Sequence, residues 1–385
     1  MTPQSSTLPP LSVYVHVPWC VRKCPYCDFN SHALDPSAIP EADYLARLIE
    51  DLEQDAPLAQ GRAVHSVFFG GGTPSLLSAE TIGAILDALH QHLGLAEDCE
   101  ITLEANPGTI DESRFSGLRA AGVNRLSIGV QSFQAHQLER LGRIHDPDQA
   151  VHAIERAREA GFDNFNIDLM HGLPEQSEAD ALADLDRAIV LNPTHLSWYQ
   201  LTIEPNTEFY RRPPELPVDD TLWAIQEAGQ QRLKEAGFAQ YEVSAYARDD
   251  KRCRHNLNYW GYGDYLGLGP GAHGKITQTD PFVIRRTRKT RLPKDYLDRS
   301  RLLLRQEEEV SAEDRPFDYF INSLRLVEGM PLDHFEVATG LDRATLEPTL
   351  SQLQQQNLLT IEAGRLRTTP QGFLYLNDIL AEWLA

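Results

Sequence analysis

Three short stretches, "LRAAGV", "REAGF" and "KEAGF", each finish an amphipathic helical pattern with a glycine, Gly122, Gly161 and Gly237, followed at once by an apolar residue. Glycine is favoured there because the residue after a helix often adopts a left-handed conformation that a Cβ penalises. Between such helices lie short apolar-rich runs: Ser12 to Val17, Val64 to Phe69, Glu100 to Glu104, Arg125 to Gly129, Asn164 to Leu169 and His195 to Leu201. Their length and content predict parallel strands covered on both faces. Helical patterns such as "SAETIGAILDALHQHLG" separate them, with Ser78 placed to cap the first turn and Glu80 adding acid to it. A chain that repeats strand, helix, glycine, strand is limited to a parallel α/β sheet or barrel. Six such units are too few for a closed eight-unit barrel and suit a partial one, with ligands bound at the carboxyl ends of the strands.

After the Pro-rich "YRRPPELPVDD" the rhythm changes. One long helical pattern runs to Gly237, and irregular Gly- and Tyr-rich sequence follows. Its glycines at 261, 263, 267, 269, 271 and 274 read either as a flexible ligand wall or as a loop crossing the barrel mouth. From Phe317 the pattern is three helices ("FDYFINSLRLVEG", "LDHFEVATG", "ATLEPTLSQLQQQN"), a short hairpin ("LLTIEAGRLRTTP") and a final helix, which resembles a winged-helix module. The third helix carries Glu347 and no Lys or Arg, so packing or protein contact is expected of it rather than DNA binding. The expected division is a partial barrel over 1–210, an extension of the barrel over 211–306 and a winged-helix-like α+β domain over 307–385.

The charge balance limits the partners. A formal net charge of −21 on 385 residues works against attraction to nucleic acid phosphates, leaving small molecules and proteins. Against that balance stands the basic "IRRTRKTRLPKDYLDRSRLLLR", Ile284 to Arg305, followed by the acidic "QEEEVSAEDRPFD". It reads as a pair of solvated faces near a domain junction or as a docking patch for an anionic ligand. No apolar run approaches the roughly 18 residues of a membrane span. The start, "MTPQSSTLPPLSVYVHVP", lacks the basic-then-apolar order of a secretory leader, and the expected compartment is the cytoplasm.

Five cysteines occur, and three of them, Cys20, Cys24 and Cys27, fall within eight residues of "HVPWCVRKCPYCDFN", straight after the first predicted strand. An odd count with three clustered argues against a disulfide scaffold and for metal chemistry in a reducing compartment. Zinc is one occupant, with His16 or His32 as the fourth ligand. A 4Fe-4S cluster is the other, because it binds thiolates and can keep one iron open to a small molecule. The Cys-x3-Cys-x2-Cys spacing departs from the usual zinc pairs and favours the cluster.

The stretch "YVHVPWCVRKCPYC" resembles the signature of radical S-adenosylmethionine proteins, in which the cofactor's methionine amino and carboxylate groups complete the cluster. The resemblance implies a radical S-adenosylmethionine fold, a partial (β/α)6 barrel. "FFGGGTPS", with Gly71, Gly72 and Thr73, is similar to the family's segment that contacts the methionine amino group. Glu104 in "LEANPG", Gln131 in "GVQSF", Arg143 in "LGRIHD" and Asp168 in "NIDLMHGLP" lie at strand ends and suggest a shared pocket. By similarity Glu104 and Asp168 accept from ribose or amino groups, while Gln131 and Arg143 address a carboxylate or a second ligand; Tyr14 and Tyr26 complete the cofactor set.

Across nearly the whole chain, "YVHVPWC", "GGGTPS", "LEANPGT", "IGVQSF" and "DLMHGLP" resemble the oxygen-independent coproporphyrinogen oxidases. Two departures are visible. Phe29 stands where those enzymes resemble Cys-x3-Cys-x2-Cys-x-Cys, and only thirteen residues precede Tyr14 where they carry a longer extension. Both departures, and the "RHNLNYW" segment, are similar to the heme-chaperone branch of the family, in which a His-Asn-x-x-Tyr-Trp motif is associated with heme. That resemblance implies His255, Asn256, Tyr259 and Trp260 as heme-binding residues. Neutral His255 could ligate iron and the aromatics flank a porphyrin, or the histidine makes a turn hydrogen bond while the aromatics fill the core. Cys253, two residues away, reads as a second thiolate ligand or as a buried structural cysteine.

The function implied is delivery of heme to acceptor proteins, with a 4Fe-4S cluster and S-adenosylmethionine as cofactors. The alternative is conversion of coproporphyrinogen III to protoporphyrinogen IX, so the sequence leaves open whether the chain is an enzyme, and a structural iron-sulfur protein is a third reading. Expected partners are heme, heme-acceptor proteins and at most a second copy or a peripheral membrane contact.

Overall fold

The computed structural model describes residues 8–109, 112–248 and 250–384; residues 1–7, part of the stretch expected to hold no secretory leader, lie outside it. The six predicted strands form as β1 (Leu11–Val17), β2 (Val64–Gly71), β3 (Leu95–Ala105), β4 (Arg125–Gln131), β5 (Phe165–His171) and β6 (His195–Gln200). They pair in parallel in chain order, with helices such as Ala79–Leu93, Pro147–Glu159 and Glu178–Val190 between them. Local signals act as expected. The Ser78 hydroxyl accepts from the Thr81 N–H at 3.2 Å, and Gly122, Gly161 and Gly237 take φ values of 110°, 83° and 82° after their helices.

Both faces of the sheet are covered, as expected, but they differ in character. Val13, Val67, Leu103, Ile128, Ile167 and Leu196 pack into one core with helix residues such as Ile82, Ile154 and Leu185. The alternate residues are polar and also buried: Ser12, Ser66, Glu100, Arg125, Asn166 and His195. Successive side chains of a strand point to opposite faces, so "SVYVHV" and "HLSWYQ" were alternating patterns hidden in apolar-rich runs. Buried polar groups persist only when bonded to one another. Ser12 and Ser66 meet at 2.7 Å, Asn166 Nδ2 donates to Ser127 Oγ at 2.8 Å, and His195 joins Asn166 Oδ1 at 2.6 Å and the Tyr241 hydroxyl at 2.8 Å.

The later chain extends the sheet at both edges. β7 (Ala239–Glu242) and β8 (Ala245–Ala247) add antiparallel strands beyond β6, while β9 (Asp264–Leu268), β10 (His273–Thr279), β11 (Phe282–Lys289) and β12 (Leu304–Glu309) add four beyond β1. The order is β12-β11-β10-β9-β1-β2-β3-β4-β5-β6-β8-β7. β9 lies parallel to β1, with Leu11 opposite Asp264 and Val15 opposite Leu268, so the Gly-rich stretch is largely sheet rather than a loop. Its glycines permit that closeness. At Gly269, φ 100°, a Cβ would sit 2.5 Å from the His16 carbonyl oxygen.

Most of the basic stretch is neutralised where it lies. Arg285 pairs with Glu307 at 3.4 Å, Arg286 with Asp318 at 2.7 Å, and Lys289 with Asp51 at 2.5 Å and Asp55 at 2.7 Å. The last part of the chain packs its own core of Tyr319, Phe320, Phe335, Leu350, Leu353 and Trp383. It comprises helices Arg315–Ser323, His334–Thr339 and Thr349–Gln355 beside a three-stranded sheet that includes the hairpin Leu359–Glu362 and Arg365–Thr368. The third predicted helix is divided at Pro348, with a short 3-10 turn Arg343–Leu346 before it, because proline lacks the N–H and disfavours helix in its predecessor.

Candidate functional site

Two cavities adjoin at the carboxyl ends of the parallel strands, and Phe29, Gly71 and Glu104 line both. The smaller, about 380 Å³, is bordered by all three clustered cysteines and by Tyr26, Gly72, Thr73, Gln131, Arg143 and Asp168. Sequence motifs spread over 150 residues thus meet in one chamber because each follows or ends a neighbouring strand.

The cysteine loop is held by short-range bonds. Cys27 N–H donates to the Cys24 carbonyl at 3.1 Å, Cys27 Sγ lies 3.5 Å from Ser31 Oγ, and Arg143 Nη1 donates to Cys24 Sγ at 3.8 Å. Burial pushes the Cys20 thiol up to about 11 and raises Cys27 as well. Cationic iron reverses that preference, since a coordinating thiol is deprotonated by the metal's charge. The histidines considered as zinc ligands are engaged elsewhere. His16 accepts from the Tyr14 hydroxyl at 3.0 Å and donates to the Asn30 carbonyl at 2.9 Å, and His32 bonds Asn30 Oδ1 at 3.2 Å. Among the described residues, no three His, Cys, Asp or Glu side chains are gathered as the ligands of one ion.

The glycine run brings β2 against the loop. A Cβ on Gly72 would lie 2.3 Å from the Trp19 carbonyl oxygen, and one on Gly71, φ 115°, would lie 2.6 Å from the His16 ring. Gly72 N–H donates to the Val17 carbonyl and Thr73 N–H to the Trp19 carbonyl, both at 2.7 Å. Burial, with the Asp168 charge added, raises Glu104 to about 8, although the Gly71 N–H donates to it at 3.1 Å. Burial raises Asp168 too, against hydrogen bonds from Asn166 at 2.7 Å and Ser127 at 3.0 Å. Gln131 takes φ 70°, a left-handed conformation costly for a residue with a side chain, and accepts from the Tyr199 hydroxyl at 2.9 Å. Three thiols on one rim, a glycine run packed against the cysteine loop and half-buried carboxyls fit a 4Fe-4S cluster with S-adenosylmethionine beside it.

The larger cavity, about 580 Å³, is lined by Tyr14, Tyr259, Trp260, Tyr265, His273, Arg288 and Arg291 among others. Tyr14 therefore faces this cavity and not the smaller one. Helix Arg254–Trp260 begins on the Glu100 carboxylate, which accepts from the His255 N–H at 3.2 Å and the Cys253 thiol at 3.6 Å. Cys253 is buried and its thiol pushed up to about 12 by burial, in line with the structural reading. Tyr259 and Trp260 reach the cavity wall; Asn256 lines neither cavity. His255 lies behind that wall, its Nδ1 3.1 Å from Ser66 Oγ and its Nε2 2.8 Å from the Tyr259 hydroxyl. Burial, with the Arg125 charge nearby, holds it down to about 3, so the ring is neutral at ordinary pH. Ser127, Ser197, Tyr199, Tyr265, Arg288 and Arg291 were not singled out from sequence. The strand alternation was the signal for the first three; Tyr265 lies in β9, which no local pattern announces, and the two arginines were hidden within a basic run.

Comparison with known proteins agrees with this geometry. The Radical SAM superfamily model matches residues 14–188 and the HemN C-terminal domain model residues 310–375. The chain is 52% identical to the heme chaperone HemW of Escherichia coli over 378 residues, covering 98% of this chain and 99% of that one. It is 50% identical to HemW of Haemophilus influenzae, with 98% of both chains covered. The mitochondrial radical S-adenosyl methionine domain-containing protein 1 of Bos taurus is 35% identical, covering 97% of this chain and 87% of its own. Among solved structures, coproporphyrinogen III oxidase (HemN) of Escherichia coli superposes with a TM-score of 0.82 at 26% identity, covering 98% of this chain and 91% of that one. The chain belongs to the HemW family within the Radical SAM superfamily.

Proposed function

We propose that this protein binds heme in the larger cavity and hands it to acceptor proteins, carrying a 4Fe-4S cluster on Cys20, Cys24 and Cys27 with S-adenosylmethionine on the strand ends around Gly71, Gly72, Thr73, Glu104, Gln131, Arg143 and Asp168. The observation that carries this reading is the pair of joined cavities, one rimmed by three thiols and the other walled by Tyr259, Trp260 and Tyr265. A cluster held by Cys20, Cys24 and Cys27 would supply one-electron reducing chemistry beside the cofactor. The chain's own residues position both groups: Arg143 donates to a cysteine sulfur, and Gly71 and Gly72 let β2 pack closely against His16 and Trp19 at the start of the cysteine loop. Aromatic faces suit a flat porphyrin. His255 is the candidate iron ligand, neutral as ligation requires; it lies behind the cavity wall, and ligation would need its Nε2 freed from the Tyr259 hydroxyl. Cytoplasmic residence belongs to the same proposal; among the described residues no helix is long and apolar enough to cross a membrane.

The competing reading is coproporphyrinogen III oxidation, favoured by the 0.82 TM-score with an oxidase along 98% of the chain. Against it stands Phe29, half exposed between the two cavities where the oxidases resemble a fourth cysteine. The test is a pair of measurements on anaerobically reconstituted protein. Heme titration is expected to give a ligation spectrum that His255→Ala loses, with no decarboxylation of coproporphyrinogen III in the presence of reductant and S-adenosylmethionine. Robust turnover would overturn the chaperone reading, and an unchanged heme spectrum in His255→Ala would remove the histidine from the site.

A further inference from the structure

β11 divides its basic residues between two faces, as a strand must. Lys289 turns inward to Asp51 and Asp55. Arg286 and Arg288 share the other face, and Arg286 is fully engaged, with Asp318 at 2.7 and 2.8 Å and the Tyr265 hydroxyl at 2.8 Å. Arg288, one step further along that face and opposite His273 in register, has no ion pair among the described residues and lines the larger cavity. Arg291 lines it too. Its backbone carbonyl accepts from Asn30 Nδ2 at 2.9 Å and its Nε donates to Asn30 Oδ1 at 3.4 Å, so it is tied to the segment just past Cys27. The carboxyl groups on the same wall are Asp28, exposed and in no ion pair among the described residues, and Glu104, half-buried at the boundary with the smaller cavity.

Two guanidinium groups without carboxylate partners, on the wall of one cavity, in a chain of net charge −21, are placed to recognise an anion rather than to staple the fold. Guanidinium matches carboxylate bidentately, and local cations offset the repulsion an acidic protein exerts on an acidic ligand. We propose that Arg288 and Arg291 form a clamp for the two propionates of the tetrapyrrole, with its ring against Tyr259, Trp260 and Tyr265; this rests on the heme reading above. The clamp fixes which edge of the ring faces β11 and the cysteine loop. It therefore selects tetrapyrroles by their carboxylates as well as by their metal.

The experiment compares heme with heme dimethyl ester, whose propionates carry no charge, by titration into the full chain and into Arg288→Gln/Arg291→Gln. Wild type is expected to bind the free acid about tenfold or more tighter than the ester, and the double variant to lose that preference with ester binding unchanged. The ester titration also reports that the variant's cavity is intact. Equal binding of acid and ester by wild type, or a variant that weakens both alike or neither, overturns the clamp and leaves heme binding standing. A wild type that binds neither compound overturns the heme reading and the clamp together.

Discussion

The two cavities share Phe29, Gly71 and Glu104 yet are assembled differently. The thiol-rimmed one collects residues from the ends of consecutive parallel strands, each carried by one short motif in chain order. The aromatic one is built across a seam, where β9 closes on β1 from some 250 residues away and brings β10, β11 and helix Arg254–Trp260 with it. Strand-end geometry converts local motifs into a site, whereas a seam creates a site that no single motif announces. The first should fail by losing its ligand and the second by losing its selectivity.

The largest effect belongs to the thiols. Cys24→Ala is expected to abolish the iron-sulfur absorbance of reconstituted protein while leaving the far-ultraviolet circular dichroism spectrum intact, because Cys24 belongs to the rim and not to the core. A cluster that survives would break the assignment of three ligands. Next, Gly72→Ala forces a Cβ to within 2.3 Å of backbone at Trp19, a clash no rotamer relieves, and should cost about 3 kcal/mol or more in urea unfolding. Gly161→Ala is its control: φ is 83° but nothing lies near, so only the left-handed strain of about 1 kcal/mol applies. Equal losses at the two glycines would show that the close approach of β2 to the cysteine loop is not constrained.

A pH-dependent effect tests the shared wall. Glu104 is raised from its ordinary 4.5 to about 8, so folding takes up a proton between those values. Its contribution to stability is full below pH 4.5 and is lost as pH rises through 8. Glu104→Gln cannot titrate. Its stability relative to wild type should match below pH 4.5 and rise by at most about 5 kcal/mol by pH 8.5, read from urea midpoints. A constant difference across that range would mean Glu104 is ionised in the folded protein.

Much of this was legible in the sequence, and the exceptions have physical causes. Six strands, the glycines at 122, 161 and 237 and the cysteine loop are local features, and all form where expected. The polar inner face was equally local but was masked by the apolar-rich content of the runs; Ser127, Ser197 and Tyr199 follow from the period of two. β9 was not legible, because nothing within "GDYLGLGPGAHGK" specifies a partner strand at Leu11–Val17. Nor was the setting of His255. Its spacing from Tyr259 is one helical turn, but the Ser66 contact that fixes its other nitrogen depends on how helix Arg254–Trp260 lies over β2.

That last contact has a consequence for the energetics of ligand capture. Tyr259 is secured through His255 to Ser66 and Ser12, side chains of two adjacent central strands, so the aromatic wall inherits the rigidity of the sheet. A planar guest meets a surface whose conformational entropy was already surrendered during folding. Little ordering cost then opposes seating the guest against the wall, and the cost that remains is the single His255–Tyr259 hydrogen bond that ligation by His255 would break.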